Sequence, residues 1–124
     1  MGNLENLLKL NLSKNKFIGP IPSTHGNLKN LPVLNLNNNK FIGSIPSALG
    51  NLTYLLQLNL NYKKFTGQIP SSLGPLNNLI HLSALENQLT GELPLSIGNL
   101  TELETFDLSH NLISGSISLD NFKI

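Results

Sequence analysis

Leu31-Pro32-Val33-Leu34-Asn35-Leu36-Asn37-Asn38-Asn39-Lys40-Phe41-Ile42-Gly43-Ser44-Ile45-Pro46 holds the pattern from which the architecture of the chain follows. Its centre, Leu34-Asn35-Leu36, alternates apolar and polar residues, the period of a short strand with one buried face. The same alternation stands earlier in the chain as Leu10-Asn11-Leu12. Its end, Gly43-Ser44-Ile45-Pro46, recurs as Gly19-Pro20-Ile21-Pro22, Gly67-Gln68-Ile69-Pro70 and Gly91-Glu92-Leu93-Pro94. Each copy reads as a glycine turn followed by an extended, proline-stiffened segment. Beyond it, stretches such as Ser47-Ala48-Leu49 leave room for about one helical turn, so no long helix fits.

The period holds along the chain. Gly2, Gly26, Gly50, Gly74 and Gly98 form one register and Gly19, Gly43, Gly67, Gly91 and Gly115 another, and both advance by the same constant step without insertion or deletion. The leucines keep that step: Leu4, Leu28, Leu52, Leu76, Leu100; then Leu7, Leu31, Leu55, Leu79, Leu103; then Leu10, Leu34, Leu58, Leu82, Phe106. The repeats are therefore placed at 2–25, 26–49, 50–73, 74–97 and 98–121, one domain over 2–121, with 122–124 the partial start of a further unit. A single unit is too small to bury its own leucines. Neighbours must stack with their strands about 4.8 Å apart and share one continuous core, which makes a curved solenoid.

Bulk composition narrows the function. Eight lysines, no arginine and seven acidic residues leave a net charge of +1, without the basic field that phosphate binding requires, so nucleic acid is not an expected partner. The charges are segregated, with seven lysines against Glu5 in residues 1–64 and Lys123 against six acids in the remainder. We read this as an ordinary solvated surface. Cysteine is absent, so disulfides, thiolate metal sites and a cysteine nucleophile are excluded. Met1-Gly2-Asn3-Leu4-Glu5 lacks the basic and apolar stretches of a secretory signal, and no stretch approaches the ~20 apolar residues of a membrane span.

The pattern Leu31-x-x-Leu34-x-Leu36-x-x-Asn39-x-Phe41-x-Gly43-x-Ile45-Pro46, followed by Gly50-Asn51-Leu52, resembles the plant-specific class of leucine-rich repeat over almost the whole chain. The class occurs in ectodomains of plant receptor-like kinases and receptor-like proteins and in secreted polygalacturonase inhibitors. The resemblance implies an α/β repeat fold, a right-handed solenoid of five 24-residue repeats with a concave parallel β-sheet. It also implies an extracellular or plasma-membrane-ectodomain location and a protein or peptide ligand, with a co-receptor as a further partner. Family caps are missing from both ends, so the chain is expected to be an uncapped fragment. In the family the asparagine after each strand bonds the backbone of adjacent coils, and the matching positions are Asn15, Asn39, Asn87 and Asn111. An amide suits that task because it both donates and accepts. Lys63 interrupts the ladder and is expected to turn outward. Ala84 replaces a buried leucine, which predicts a small void, an outward Leu85 and a weak fourth coil.

Outward strand positions fall into three rows, which no core contact requires: Lys9, Val33, Gln57, His81, Thr105; Asn11, Asn35, Asn59, Ser83, Asp107; Ser13, Asn37, Asn61, Leu85, Ser109. From them the expected ligand face is Lys9, Asn11, Asn35, Asn37, Gln57, Asn59, Asn61, His81, Ser83, Leu85, Asp107 and Ser109, with Tyr62 at its margin as aromatic anchor. Glu86 and His110 share that margin. Five strands of about five residues give a sheet of roughly 20 by 16 Å. That is less than the ~800 Å² per partner of a standard interface, which favours a small peptide or recognition completed by further coils.

Asn11-Leu12-Ser13, Asn51-Leu52-Thr53 and Asn99-Leu100-Thr101 are N-glycosylation acceptor sequences, and a glycan on Asn11 would block the concave face. Asp107, Ser109 and His110 have no nucleophile elbow or oxyanion turn around them. His25, His81 and His110 occupy different offsets in different repeats and do not converge as metal ligands. No catalysis, metal or cofactor is expected, and any kinase activity would belong to a separate domain, since no nucleotide loop is present. The reading is a ligand-recognition segment of a plant receptor-like protein in defence or developmental signalling. Its alternatives are a polygalacturonase inhibitor and an ice-binding protein using the asparagine array of Asn11, Asn35, Asn37, Asn59 and Asn61.

Overall fold

The computed structural model of the chain describes residues 10–11, 18–19, 30–61 and 64–114. Five short strands, β1 (Leu10–Asn11), β3 (Val33–Asn35), β5 (Gln57–Asn59), β7 (His81–Ser83) and β8 (Thr105–Asp107), lie side by side in one parallel sheet ordered β1-β3-β5-β7-β8. Partners stand one full repeat apart, as in Leu10↔Leu34, Leu34↔Leu58, Leu58↔Leu82 and Leu82↔Phe106. The sequence period is thus the sheet register, so residues at equivalent positions of successive repeats become lateral neighbours.

Each coil buries a set of columns beneath this sheet. Leu34, Leu58 and Leu82 form one, Leu31, Leu55, Leu79 and Leu103 the next, then Leu52, Leu76 and Leu100, then Leu49, Leu73 and Ile97, all buried. Each fully buried leucine contributes roughly 1.5–3 kcal/mol relative to its exposed state, and the gain exists only when a neighbouring coil covers it. Ala84 continues the column of Leu36 and Leu60 and is 0% exposed, while Leu85 beside it is half-buried. In the outermost described coil Phe106, Leu108 and Ile113 are only partly covered.

The structure adds a second sheet, at and just before the turns at Gly19, Gly43 and Gly67, that the sequence pattern did not place. Strands β2 (Ile18–Gly19), β4 (Lys40–Ser44) and β6 (Lys64–Thr66) pair in parallel, in the order β2-β4-β6. Here the partners, Ile42↔Lys64 and Gly43↔Phe65, stand slightly closer in sequence than one full repeat. The pairing continues as isolated bonds, the N–H of Gln88 donating to Phe65 O at 2.9 Å and that of Thr90 to Gly67 O at 2.8 Å. Lys64-Phe65-Thr66 alternates exposed, buried, exposed, but so short a run cannot tell strand from loop by periodicity. Stacking makes the difference, because it brings two coil backbones within hydrogen-bonding distance and their N–H and C=O groups need partners.

Among the described residues the remaining arc of the coil is a 3₁₀ turn, at Ser47–Asn51, Ser71–Leu73 and Leu95–Asn99. Pro46, Pro70 and Pro94 stand before these turns in extended conformation. The helical part of the repeat is therefore 3₁₀ among the described residues, the tighter option where the arc is about one turn long. Coils approach closely there. A Cβ on Gly50 would lie 2.1 Å from the Ser72 carbonyl oxygen, and one on Gly74 would lie 2.8 Å from the Ser96 Cβ. Hydroxyls tie the same arcs together, Ser72 Oγ donating to Ser47 O at 2.8 Å and Ser96 Oγ to Ser71 O at 2.9 Å.

Inside the turns after β3, β7 and β8 an asparagine amide replaces the missing ladder. Asn87 Nδ2 donates to Leu60 O at 2.9 Å and Ala84 O at 3.0 Å, and its Oδ1 accepts the Phe65 N–H at 3.2 Å. Asn111 does the same one coil later, to Ala84 O at 2.7 Å and Leu108 O at 3.0 Å, and from the Leu89 N–H at 3.0 Å. Asn39 donates to Leu36 O at 3.2 Å. Asn15 and Lys63 lie outside the described residues.

Gly50→Ala is expected to lower the urea midpoint by the equivalent of about 1–3 kcal/mol, since the clash is with backbone and cannot be relieved by a rotamer change. Asn87→Ala should cost about as much, because it strands a backbone N–H and carbonyls in the interior. Both are read by chemical denaturation followed by circular dichroism; an unchanged midpoint for Gly50→Ala would mean that the coils are not in contact at Ser72.

Candidate functional site: the exposed face of the main sheet

The strand rows place polar side chains on the face opposite the leucines. Val33↔Gln57, Gln57↔His81 and His81↔Thr105 pair across the sheet in one row, and Asn35↔Asn59, Asn59↔Ser83 and Ser83↔Asp107 in the next. Over β3, β5 and β7 this face carries a hollow of about 110 Å³, floored by Leu34 and Leu58 and walled by Val33, Asn35, Gln57, Asn59, His81 and Ser83. Asn59 Oδ1 is a buried acceptor with no hydrogen-bond partner. Buried polar atoms ordinarily find partners, so this acceptor is an exception within the strand rows.

Several of the surrounding groups are held in place by one another. His81 Nδ1 and the Thr105 hydroxyl share a 2.6 Å hydrogen bond across β7 and β8, which fixes the imidazole at the hollow's wall. Ser83 Oγ donates to Asn61 Oδ1 at 2.6 Å, and the same oxygen accepts the Leu85 N–H at 2.7 Å. Asn37 Oδ1 accepts the Asn61 N–H at 2.9 Å, and Asn35 Oδ1 accepts the Asn37 N–H at 3.0 Å. Asn37 and Asn61 thus form a second amide series at the surface, joining coil to coil.

At the far side, Asp107 Oδ1 accepts the Ser109 N–H at 2.9 Å and also the Ser109 hydroxyl. The Ser109 hydroxyl bond first and its N–H bond second hold the Asp107 carboxyl below the usual carboxylate range; burial opposes them, and the nearby His110 adds the smallest lowering effect. These bonds brace the turn after β8, a local use of a carboxylate. The turn itself is sharp. Asn38, Glu86 and His110, equivalent positions in three coils, all have left-handed backbone with φ of 57°, 57° and 58°. That conformation is uncommon for a glutamate, and here it reverses the chain while the Glu86 N–H reaches Ser109 O at 3.0 Å.

Of the residues assigned to a ligand face from sequence, the hollow gathers Asn35, Gln57, Asn59, His81 and Ser83. Asn37 and Asn61 border it and engage their carbonyl oxygens with the chain. Leu85, Asp107 and Ser109 lie to one side, and Asn11 is placed on β1 by its backbone. Lys9 and Tyr62 fall outside the described residues. Of the glycosylation positions, Asn51 and Asn99 are exposed at the ends of their 3₁₀ turns. Sequence reasoning missed Tyr54, 60% exposed, and Leu56, 38% exposed, on the flank before β5. The available signal was an apolar residue beside the repeating leucine column rather than in it, as in Leu55-Leu56 and Leu79-Ile80. Among the described residues no three acidic, histidine or cysteine side chains gather as a metal site, and no helix is long and apolar enough to cross a membrane.

The leucine-rich repeat family model matches residues 6–28, 30–52 and 102–122, more than half of the chain. The chain belongs to the leucine-rich repeat family. No curated protein sequence matches it significantly. Among solved structures, this leucine-rich repeat chain is similar to the ectodomain of the receptor kinase GASSHO1/SCHENGEN3 from Arabidopsis thaliana, in complex with CASPARIAN STRIP INTEGRITY FACTOR 2. The identity is 42% and the TM-score 0.92, over 94% of this chain and 14% of that one. PEPR1 in complex with AtPEP1 superposes with a TM-score of 0.93 at 39% identity, covering 98% of this chain and 17% of that one. A plant ice-binding protein follows with a TM-score of 0.84 at 36% identity, covering 90% and 36%. The chain therefore spans only a fraction of the length of each of these leucine-rich repeat proteins.

Because its folded-state carboxyl is depressed, Asp107 stabilises the leucine-rich repeat fold above the ordinary carboxylate pKa of about 3.9, and that contribution is lost as pH falls through the depressed value. Urea midpoints of wild type and Asp107→Asn should therefore differ at neutral pH and converge in acid. A constant difference across that range would show that the charge on Asp107 is irrelevant to stability.

Proposed function

We propose that this chain is a ligand-recognition segment of a plant receptor-like ectodomain, binding an extended peptide on the concave face of its main sheet, in defence or developmental signalling. The observation that carries the reading is the hollow over β3, β5 and β7, walled by Gln57, Asn59, His81 and Ser83 on the face that the leucine core leaves free. None of these side chains is required by the leucine core, so the surface can vary while the scaffold is kept. The likeness to two receptors whose structures contain CASPARIAN STRIP INTEGRITY FACTOR 2 and AtPEP1 supports the same reading. In this proposal Asn35, Gln57, Asn59, His81 and Ser83 touch the ligand. Asn37, Asn61 and Asp107 brace the face, and Leu85 and Ser109 border it. Lys9, Asn11 and Tyr62 would extend it. The receptor role places the chain outside the cell, with Asn51 and Asn99 as exposed glycan acceptors. Catalysis is assigned to none of its residues, and a co-receptor would complete the interface that five coils are too small to fill.

Ice binding is the second reading, favoured by the likeness to a plant ice-binding protein and by the regularly spaced Asn35, Asn37, Asn59 and Asn61. The array stops at Ser83 and Asp107, where the row loses its asparagines. Unchanged ice recrystallisation at high protein concentration would remove this reading.

The main reading is tested by selecting linear peptides from a random displayed library against the 124-residue chain and measuring the selected peptides by calorimetry. Gln57→Ala and His81→Ala are each expected to weaken them about tenfold, the loss of roughly one well-placed polar contact. Peptides whose affinity ignores both variants would place the site elsewhere, and a selection that yields no binder would overturn peptide recognition by this chain.

A further inference from the structure

A larger open hollow, of about 470 Å³, lies beside the peptide-binding face, on the flank that leads into β5 and β7. Its lining is mixed: Leu56 and Ile80 supply the apolar wall, while Asn77, Asn78, Thr101 and Glu102 supply the polar one. The two hollows adjoin through the backbone, since Leu56 precedes Gln57 and Ile80 precedes His81, and Gln57 and His81 wall the first hollow. An extended ligand lying over Gln57 and His81 therefore passes within one or two residues of the flank, at about 3.3 Å per residue.

The chemistry of the lining is selective. Leu56 is 38% exposed and Ile80 half-buried, although neither position belongs to a core column, so their apolar surface stays open to whatever enters. At the polar end Glu102 is exposed and provides a carboxylate. Asn78 gives one Nδ2 hydrogen to Thr53 O at 3.3 Å, which anchors the amide and leaves its Oδ1 as an acceptor. A carboxylate with amide and hydroxyl oxygens at one end, and aliphatic wall at the other, suit a side chain with a methylene stem and a cationic head. The surrounding field has the matching sign. Residues 65–114 include Glu86, Glu92, Glu102, Glu104 and Asp107 and contain no lysine or arginine. Glu104 follows Leu56 and Ile80 in the same register and is exposed one coil further on, its N–H bound to Ile80 O at 2.8 Å.

We propose that the flank hollow between Leu56, Ile80 and Glu102 is a specificity pocket for a lysine or arginine side chain of the peptide ligand. The proposal rests on the peptide-recognition reading of the concave face and adds to it which residue class the ligand must carry. The stem packs on Leu56 and Ile80, the head pairs with Glu102 and the Asn78 carbonyl oxygen, and the backbone crosses the sheet at Gln57 and His81. The acidic half of the chain, treated from sequence as plain solvated surface, becomes the source of the selectivity.

The peptides selected from the random library are sequenced, and the best one is resynthesised with its basic residue replaced by norleucine. The pocket requires enrichment of lysine or arginine at one position and a weakening of about three- to tenfold on norleucine substitution, in the range of a partly exposed charge pair with packing. Glu102→Gln should cause the same loss for the basic peptide and none for the norleucine peptide. Glu92→Gln, which removes the same charge beside the Gly91 turn, should leave both unchanged. Selected peptides that bind through Gln57 and His81 without a basic preference would overturn the pocket and leave the concave-face reading standing. Equal losses from Glu92→Gln and Glu102→Gln would also overturn it, since the effect would then be that of net charge.

Discussion

A single coil of this chain cannot bury its own leucines, and the rest of the architecture answers to that. Among the described residues a coil has very short strands, a short 3₁₀ arc and a ring of buried apolar side chains, and the ring becomes dry only when another coil closes it. The period must therefore be kept without insertion or deletion, because a one-residue slip would turn Leu34 out of line with Leu58 and move its strand neighbours to the wrong face. The same stacking sets the demand on the backbone. Adjacent arcs come so close at Gly50 that no Cβ fits beneath the Ser72 carbonyl. Side-chain amides such as Asn87 must also serve the N–H and C=O groups that a turn leaves unpaired at the centre of the coil.

That economy leaves the outside of the main sheet free. The leucine columns, the asparagines inside the turns and the glycines at the close approaches use up the positions that stacking constrains. What remains is the lateral grid of equivalent residues from successive repeats, where Gln57 faces His81 and Asn59 faces Ser83. Such a grid is rigid because its strands are, and side chains on it are further fixed by bonds such as that from His81 to Thr105. A preorganised polar surface of this kind loses little conformational freedom when a ligand arrives.

Much of this was legible in the residues. The glycine and leucine registers read directly as coil length, sheet register and core columns, and alternation along Leu34-Asn35-Leu36 separated the buried row from the exposed ones. The asparagine ladder followed from resemblance and appears in the hydrogen bonds of Asn87 and Asn111. The second sheet was not legible, because strands as short as Lys64-Phe65-Thr66 carry too little pattern to separate from a turn. Nor was the surface role of Asn37 and Asn61, whose amides look available in sequence and are engaged with the next coil in space.

Which residues lie inward, which lie outward and how far apart the coils recur could all be read without coordinates, because they follow from a periodicity that every unit restates. How outward residues from different coils combine could not: that Gln57, Asn59, His81 and Ser83 wall one hollow, that Leu56 and Ile80 open onto a second, and that Glu102 lines it emerged from the folded arrangement alone. The difference is geometric. A hollow belongs to several coils at once and depends on the side chains that stacking makes neighbours, their bonds and the space between them, and no single repeat contains that information.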